Sequence, residues 1–400
     1  MVQEQPVPVV FTGTRRELGG MLLRGYALLV PTIGLYRFWL TTWKRRFYWA
    51  NTEIDGDPLE YTGSAFQLLL GFLMALAVFI PLYGLFFYLS TQSSEAAVAG
   101  YGFVGILLWF LMGYASYRAR DFRLSRTLWR GIRCDQGGSA WGYALRRFFW
   151  SLLVMVTAGL AYPFMAANLW SYRYRHSWYG DRQFGFVGSW KQLARPFYLA
   201  YVGVAVVGGV GLGMGTAMGG LPTGGTPTVE GVLVLLAAAA LIGVLWLYYR
   251  SRELTRMFSA VRLGTAALTV TIRTRSLLGQ YLLFGLALTA SYLVLAIGGL
   301  IVLGAVASDA FAGGEFDPQI FMQSLQGSMT VLLAIVFGYL LLLGAFSLMV
   351  ELFLGLGFWK MVANGAAITG IDSLRSVRAR GEDTSLAGEG LADALNVGAY

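Results

Sequence analysis

The sequence has almost none of the residues that build redox or metal chemistry. Its 400 residues include one cysteine, Cys134, and one histidine, His176. A single cysteine closes no disulfide within the chain. One histidine cannot by itself build a zinc site. Charge is scarce too: 13% of residues are Asp, Glu, Lys or Arg, against about 25% in soluble domains. Phosphate-binding loops, His-Glu-x-x-His zinc motifs and nucleophile elbows are absent from the sequence. The run Gly208 to Gly215 lies inside an apolar segment and follows no soluble strand, so it does not read as a nucleotide loop. These absences point to a protein that is not an enzyme and needs no cofactor and no metal.

Apolar residues are abundant. They make up 56% of the chain, and the mean hydropathy is +0.60. This balance indicates an α-helical polytopic membrane protein. A spanning helix needs about 20 mostly apolar residues. Six segments meet that requirement: 66–90, 98–117, 197–219, 229–250, 278–306 and 328–358. Two others, 18–43 and 145–170, are apolar but interrupted. The first carries Pro31, Thr32 and Gly34 at its centre, and the second Thr157, Gly159 and Pro163.

Charge placement gives the orientation. The net charge is +9, yet Lys and Arg are absent from 91–97, 220–228 and 307–327. The bias of basic residues toward the cytoplasm puts those three loops outside and both termini inside. If 145–170 crossed once, the basic stretch 171–196 would lie outside. Six full crossings plus two broken or re-entrant segments resolve the conflict; the alternative is eight full spans. The positive charge is spread between apolar spans, which excludes a nucleic-acid face and suits anionic lipid headgroups. Oligomeric state is not written in the sequence.

Sliding the chain over itself by 125 residues superposes Thr32, Gly34 and Leu35 on Thr157, Gly159 and Leu160. The same shift brings Gly63, Ser64, Gln67 and Leu68 onto Gly188, Ser189, Gln192 and Leu193. This internal repeat implies copies over about 11–135 and 136–260, with 261–372 as the rest of the membrane domain and 373–400 as a flexible cytoplasmic tail. Two β-prone runs flank Asp55-Gly56, a turn pair that favours a short hairpin. Weaker versions lie at 128–139, 177–189 and 259–274, with a partial one at 362–370. We expect short cytoplasmic β-hairpins on one face.

The residues Val30 to Trp39, Arg45 to Thr52 and Glu60 to Gly63 resemble the YjgN-like family, as does the C-terminal Gly388 to Ala394. That resemblance implies a bacterial inner-membrane location and carries over no catalytic or binding residue.

The chemistry that remains is intramembrane. Glu351 lies in an apolar run nine residues before Lys360, about 13 Å inward along a continuous helix. A carboxylate at that depth must be protonated, paired or hydrated. Arg24 and Arg37 are the basic residues of the first broken segment, and they are the expected partners. Trp39, Trp43, Trp49, Trp170 and Trp178, with Arg45 and Arg46, read as interfacial anchors. Gly211, Gly215 and Gly219 recur every four residues and read as a helix-packing face. Two functions fit: a small-solute or ion transporter or channel, and a non-catalytic scaffold that interacts with lipid.

Overall fold

A computed structural model describes residues 5–92, 94–221, 226–306, 308, 318–320 and 329–380. The C-terminal motif 388–394, the tail from 381 and most of loop 307–327 lie outside the described residues. Among the described residues, six helices are long and apolar enough to cross a membrane: Ala65–Ser90, Ala97–Leu124, Trp190–Ala217, Val229–Phe258, Thr274–Val302 and Leu332–Asn364. The chain is a multi-pass membrane protein.

The backbone divides into two compact units. One comprises Met1–Gly13, Leu35–Arg275 and Met361–Tyr400; the other comprises Thr14–Gly34 and Ser276–Lys360.

Among the described residues, the first unit holds ten short strands. In chain order they are β1 (Val7–Phe11), β2 (Thr52–Ile54), β3 (Asp57–Tyr61), β4 (Thr127–Trp129), β5 (Ile132–Gln136), β6 (Ser177–Tyr179), β7 (Arg182–Phe186), β8 (Val261–Leu263), β9 (Ala266–Val270) and β10 (Ala366–Thr369). The structure goes beyond short hairpins on one face, because every neighbouring pair is antiparallel and the set closes into one barrel. Closure removes the unpaired edges that strands this short cannot protect. The partial copy at 362–370 supplies β10, whose missing partner comes from the other end of the chain: Val7 lies opposite Ile368 and Pro8 opposite Ala367.

Each strand pair is fed by a helix. The first unit contains α2 (Arg37–Ala50), α3 (Ala65–Ser90), α4 (Ser94–Leu124), α5 (Ala140–Val156), α6 (Tyr162–Arg175), α7 (Trp190–Ala217) and α8 (Val229–Phe258). Thr52, Thr127 and Ser177 open their strands by donating to the carbonyls of Tyr48, Arg123 and Arg173, at 2.7, 2.8 and 2.7 Å. This local bond ends the helix and turns the chain into the strand. On the outgoing side an aromatic-x-Gly-Ser/Thr sequence recurs. A Cβ at Gly13, Gly63 or Gly188 would collide with the ring of Phe11, Tyr61 or Phe186, two residues earlier. The ring folds back over the glycine, and the next residue (Thr14, Ser64 or Ser189) becomes the N-cap of a helix. Ser64 and Gln67 form a reciprocal capping box.

The hairpin-turn end of the barrel is filled. Trp129, Tyr179, Leu263 and Ala266 form a buried cluster with Ile371, Leu374 and Val377. The last three belong to, or directly follow, a 3-10 helix at Ile371–Ser376. Arg182 donates to Ser376 Oγ at 2.6 Å, and the backbone N–H of Asp181 donates to Arg378 O at 2.9 Å. Residues 373–380, assigned above to the flexible tail, therefore close the barrel.

The second unit contains α1 (Arg15–Leu29), most of α9 (Thr274–Val306), α10 (Met329–Met349) and a π-helical stretch, Val350–Gly355, that continues into α11 (Leu356–Asn364). Both interrupted segments break in the same way. In one, Ile33 and Gly34 have φ of 50° and 80°; in the other, Ala158 and Gly159 have 49° and 97°. Thr32 donates to Leu28 O at 2.6 Å and Thr157 to Leu153 O at 2.7 Å. Gly34 N donates to Leu29 O at 2.8 Å and Gly159 N to Val154 O at 2.7 Å. The left-handed pair explains the glycine of each Thr-x-Gly, since a side chain at that φ is strained.

Candidate functional site

The most unusual local structure surrounds Glu351, within the second unit. The helix widens to a π-turn over Val350–Gly355, which displaces carbonyls from the regular hydrogen-bond ladder and often marks a functional position. Side chains take those carbonyls. Arg15 Nε donates to Leu352 O at 3.3 Å, and its guanidinium lies 5.1 Å from the centre of the Phe353 ring. Gln280 Nε2 donates to Phe353 O. Gly19 leaves room for Leu352, and Gly357 leaves room for the Gln280 amide.

Glu351 itself is 5% exposed. Ser347, one turn earlier on the same face, shares a 2.9 Å hydrogen bond with the hydroxyl of Tyr26. Tyr26 is within electrostatic reach of Glu351. The site thus gathers a carboxylate, two hydroxyls and two rearranged backbone carbonyls inside an apolar helix group.

The expected partner Arg24 is not among them. It is exposed on α1 and, among the described residues, forms no ion pair. It stands two positions from Tyr26, about 200° around the helix, so the two side chains leave on opposite sides. Arg37 belongs to the first unit, with its guanidinium over the rings of Phe38 and Phe72 at 5.1 and 4.8 Å.

The family model "Bacterial protein of unknown function (DUF898)" matches residues 6–394. The chain belongs to this family. The YjgN-like resemblance names the same family. No curated protein and no solved structure matches the chain.

Two of the expected anchors are packing residues of this fold. Trp49 is buried; its indole N–H donates to Thr127 Oγ1 at 2.8 Å, and its ring lies 5.4 Å from Tyr61. Trp170 is buried against Phe258 and Tyr174, at 4.9 and 5.6 Å. Arg45 and Arg46 also hold the barrel junction, donating to Tyr61 Oη at 2.9 Å and Gly63 O at 3.2 Å. These side chains sit in the last helical turns before a hairpin, where sealing the junction takes their aromatic area. Trp39 and Trp43 are each 40% exposed. Trp178 lies on β6, with the Arg380 guanidinium 4.7 Å from its ring.

The glycine face of α7 meets α8. A Cβ at Gly211 would collide with Ala238, and one at Gly215 would come within 2.6 Å of Leu235. Gly219 has left the helix, with φ of 71°. Pro31 lies in the first break, and Pro163 occupies the first turn of α6, where its missing N–H costs nothing.

Sequence reasoning missed two buried carboxylates. Glu253 is 2% exposed and paired with Arg250 at 3.1 Å; Asp121 is 8% exposed and paired with Arg118 at 2.9 Å. Both acids follow an arginine by three residues in the last turns of a long helix. That shared spacing was the available signal.

Burial pushes the Cys134 thiol up to about 12 and raises the Tyr179 hydroxyl. In a turn of the barrel, Asp57 and Asp55 hold the Arg130 guanidinium at 2.5 and 2.7 Å, and the Asp57 hydrogen bond is the main cause of its raised pKa.

Proposed function

We propose that this chain is a bacterial inner-membrane protein that passes an ion or small solute, with Glu351 and its π-turn as the polar element of the route. One observation carries this reading: a buried carboxylate placed at a π-turn inside an apolar span, with neighbouring carbonyls held by Arg15 and Gln280. Burying such a group costs free energy, and a purely structural bundle gains nothing obvious from it.

Charge and strand pairing support one orientation. β5 pairs with β6, and β1 pairs with β2. The segments that join these strands must therefore leave the barrel and return to it. Helices of 17 and 14 residues, α5 and α6, fall short of the roughly 20 needed to cross. Two re-entrant segments and six crossings, with the barrel and both termini in the cytoplasm, accommodate both facts. We also infer that the 125-residue repeat spans two of five related units. Thr14, Ser64, Ser139, Ser189 and Thr274 each follow an outgoing strand at the start of a helix, and 14 to 139 and 64 to 189 are the same shift.

The filled barrel favours a second reading. A barrel core occupied by Trp129, Tyr179 and Leu374 suits a rigid platform, as a non-catalytic scaffold bound to anionic lipid would require.

The test is flux in proteoliposomes, with the wild type and Glu351→Gln compared across a panel of monovalent ions and small solutes. We expect the variant to fold with unchanged yield and to lose at least tenfold in the flux of one species or in its pH dependence. Equal flux in protein-free, wild-type and variant vesicles for the whole panel would leave the scaffold reading in its place.

A further inference from the structure

A depression of about 500 Å³ runs along one face of α5, lined by Gly142, Leu145, Arg146, Phe149, Trp150 and Leu153. We propose that it binds one glycerophospholipid with a net anionic headgroup, its phosphate on Arg146 and an acyl chain along Phe149, Trp150 and Leu153. The inference rests on the lipid-contact part of the reading above and gives it a site.

The residues are ordered as such a ligand needs. Arg146 lies seven residues after the Ser139 cap that starts α5 beside the barrel, about 10 Å along the helix, at headgroup level in the proposed orientation. Beyond it the lining is apolar as far as Leu153, one turn before the helix breaks after Val156. Leu145, Phe149 and Leu153 are 47%, 63% and 45% exposed.

Arg146 is held but not used. Its guanidinium lies 5.1 Å from the centre of the Tyr172 ring, and the Tyr172 hydroxyl is itself fixed, donating to Ser139 O at 2.9 Å. Among the described residues the Arg146 guanidinium donates no hydrogen bond and meets no carboxylate. The neighbouring Arg147 is the contrast. It donates to Met112 O and Ser116 Oγ, each at 3.4 Å. A planar guanidinium held over a fixed ring presents a fork matched to phosphate oxygens. The apolar continuation commits the site to a lipid rather than to free phosphate, which has no use for it.

Native mass spectrometry of the full-length protein in mild detergent tests this, with phosphatidylglycerol and phosphatidylcholine as probes. The wild type should retain phosphatidylglycerol at least fivefold over phosphatidylcholine. Arg146→Gln should cut that retention at least fivefold with no change in melting temperature, Arg146→Lys should recover part of it, and Leu153→Asn should weaken it. Equal retention by wild type and Arg146→Gln would overturn the site while leaving general lipid contact intact. A wild type that retains no phospholipid would overturn both.

Discussion

Leu374→Asp is expected to unfold the strand barrel. Leu374 is 6% exposed and packs with Trp129, Tyr179 and Ile371 in the cluster that closes the barrel. Removing a buried leucine side chain alone costs about 2–5 kcal/mol, and an unpaired buried carboxylate adds a further few. At roughly 2–4 °C per kcal/mol for a unit of this size, the melting midpoint should fall by about 10–20 °C, with loss of the folded peak in size-exclusion chromatography. Arg375→Ala is the control one residue away. Its ion pair with Asp372, at 3.0 Å, is 70% and 59% exposed on its two sides, and such pairs contribute about 0–1 kcal/mol. A midpoint for Leu374→Asp within about 2 °C of wild type would show that the segment after Gly370 is not part of the barrel core.

The second large effect is at the crossing of α7 and α8. A Cβ at Gly231 would meet Gly220 Cα at 2.5 Å, with Gly220 N closer still and Gly215 O at 2.9 Å. All three are backbone atoms, so no rotamer change relieves the clash and the helices must separate. Gly231→Val should therefore cost more than the about 1–3 kcal/mol usual for overpacking and sharply reduce the yield of folded protein. Gly243→Val, on the same helix but with open space where a Cβ would stand, should be nearly silent. Matching yields for the two variants would refute the close approach.

What the sequence revealed is what local physics decides. Span lengths follow from apolar runs, and the breaks follow from Thr-x-Gly, where one residue type supplies the required φ at Gly34 and Gly159. The turn at Asp55-Gly56 is equally local. Barrel closure was hidden because it depends on pairings far apart in the chain. β1 and β10 are separated by more than 350 positions, and neither Val7–Phe11 nor Ala366–Thr369 has a partner nearby. The π-turn has no sequence signature, since its widening depends on Arg15 and Gln280 arriving from other helices. Trp49 and Trp170 read as headgroup anchors because a tryptophan beside an arginine looks the same in either role until burial separates them. Glu253 and Asp121 went unremarked because their burial comes from packing, which the Arg-x-x-acid spacing does not reveal.

The central claim is that all ten strands lie on one side of the membrane while α5 and α6 turn back within it. Cysteine accessibility tests it most directly. The native Cys134 is a half-buried free thiol and is replaced by serine to give a cysteine-free background. Ser94→Cys, Thr226→Cys, Glu60→Cys and Gln183→Cys would be probed in intact cells with a membrane-impermeant maleimide. The account predicts labelling at positions 94 and 226, and labelling at 60 and 183 only after permeabilisation. Labelling of position 183 from outside, with 60 still protected, would mean that α5 and α6 carry the chain across, and the closed barrel could not stand.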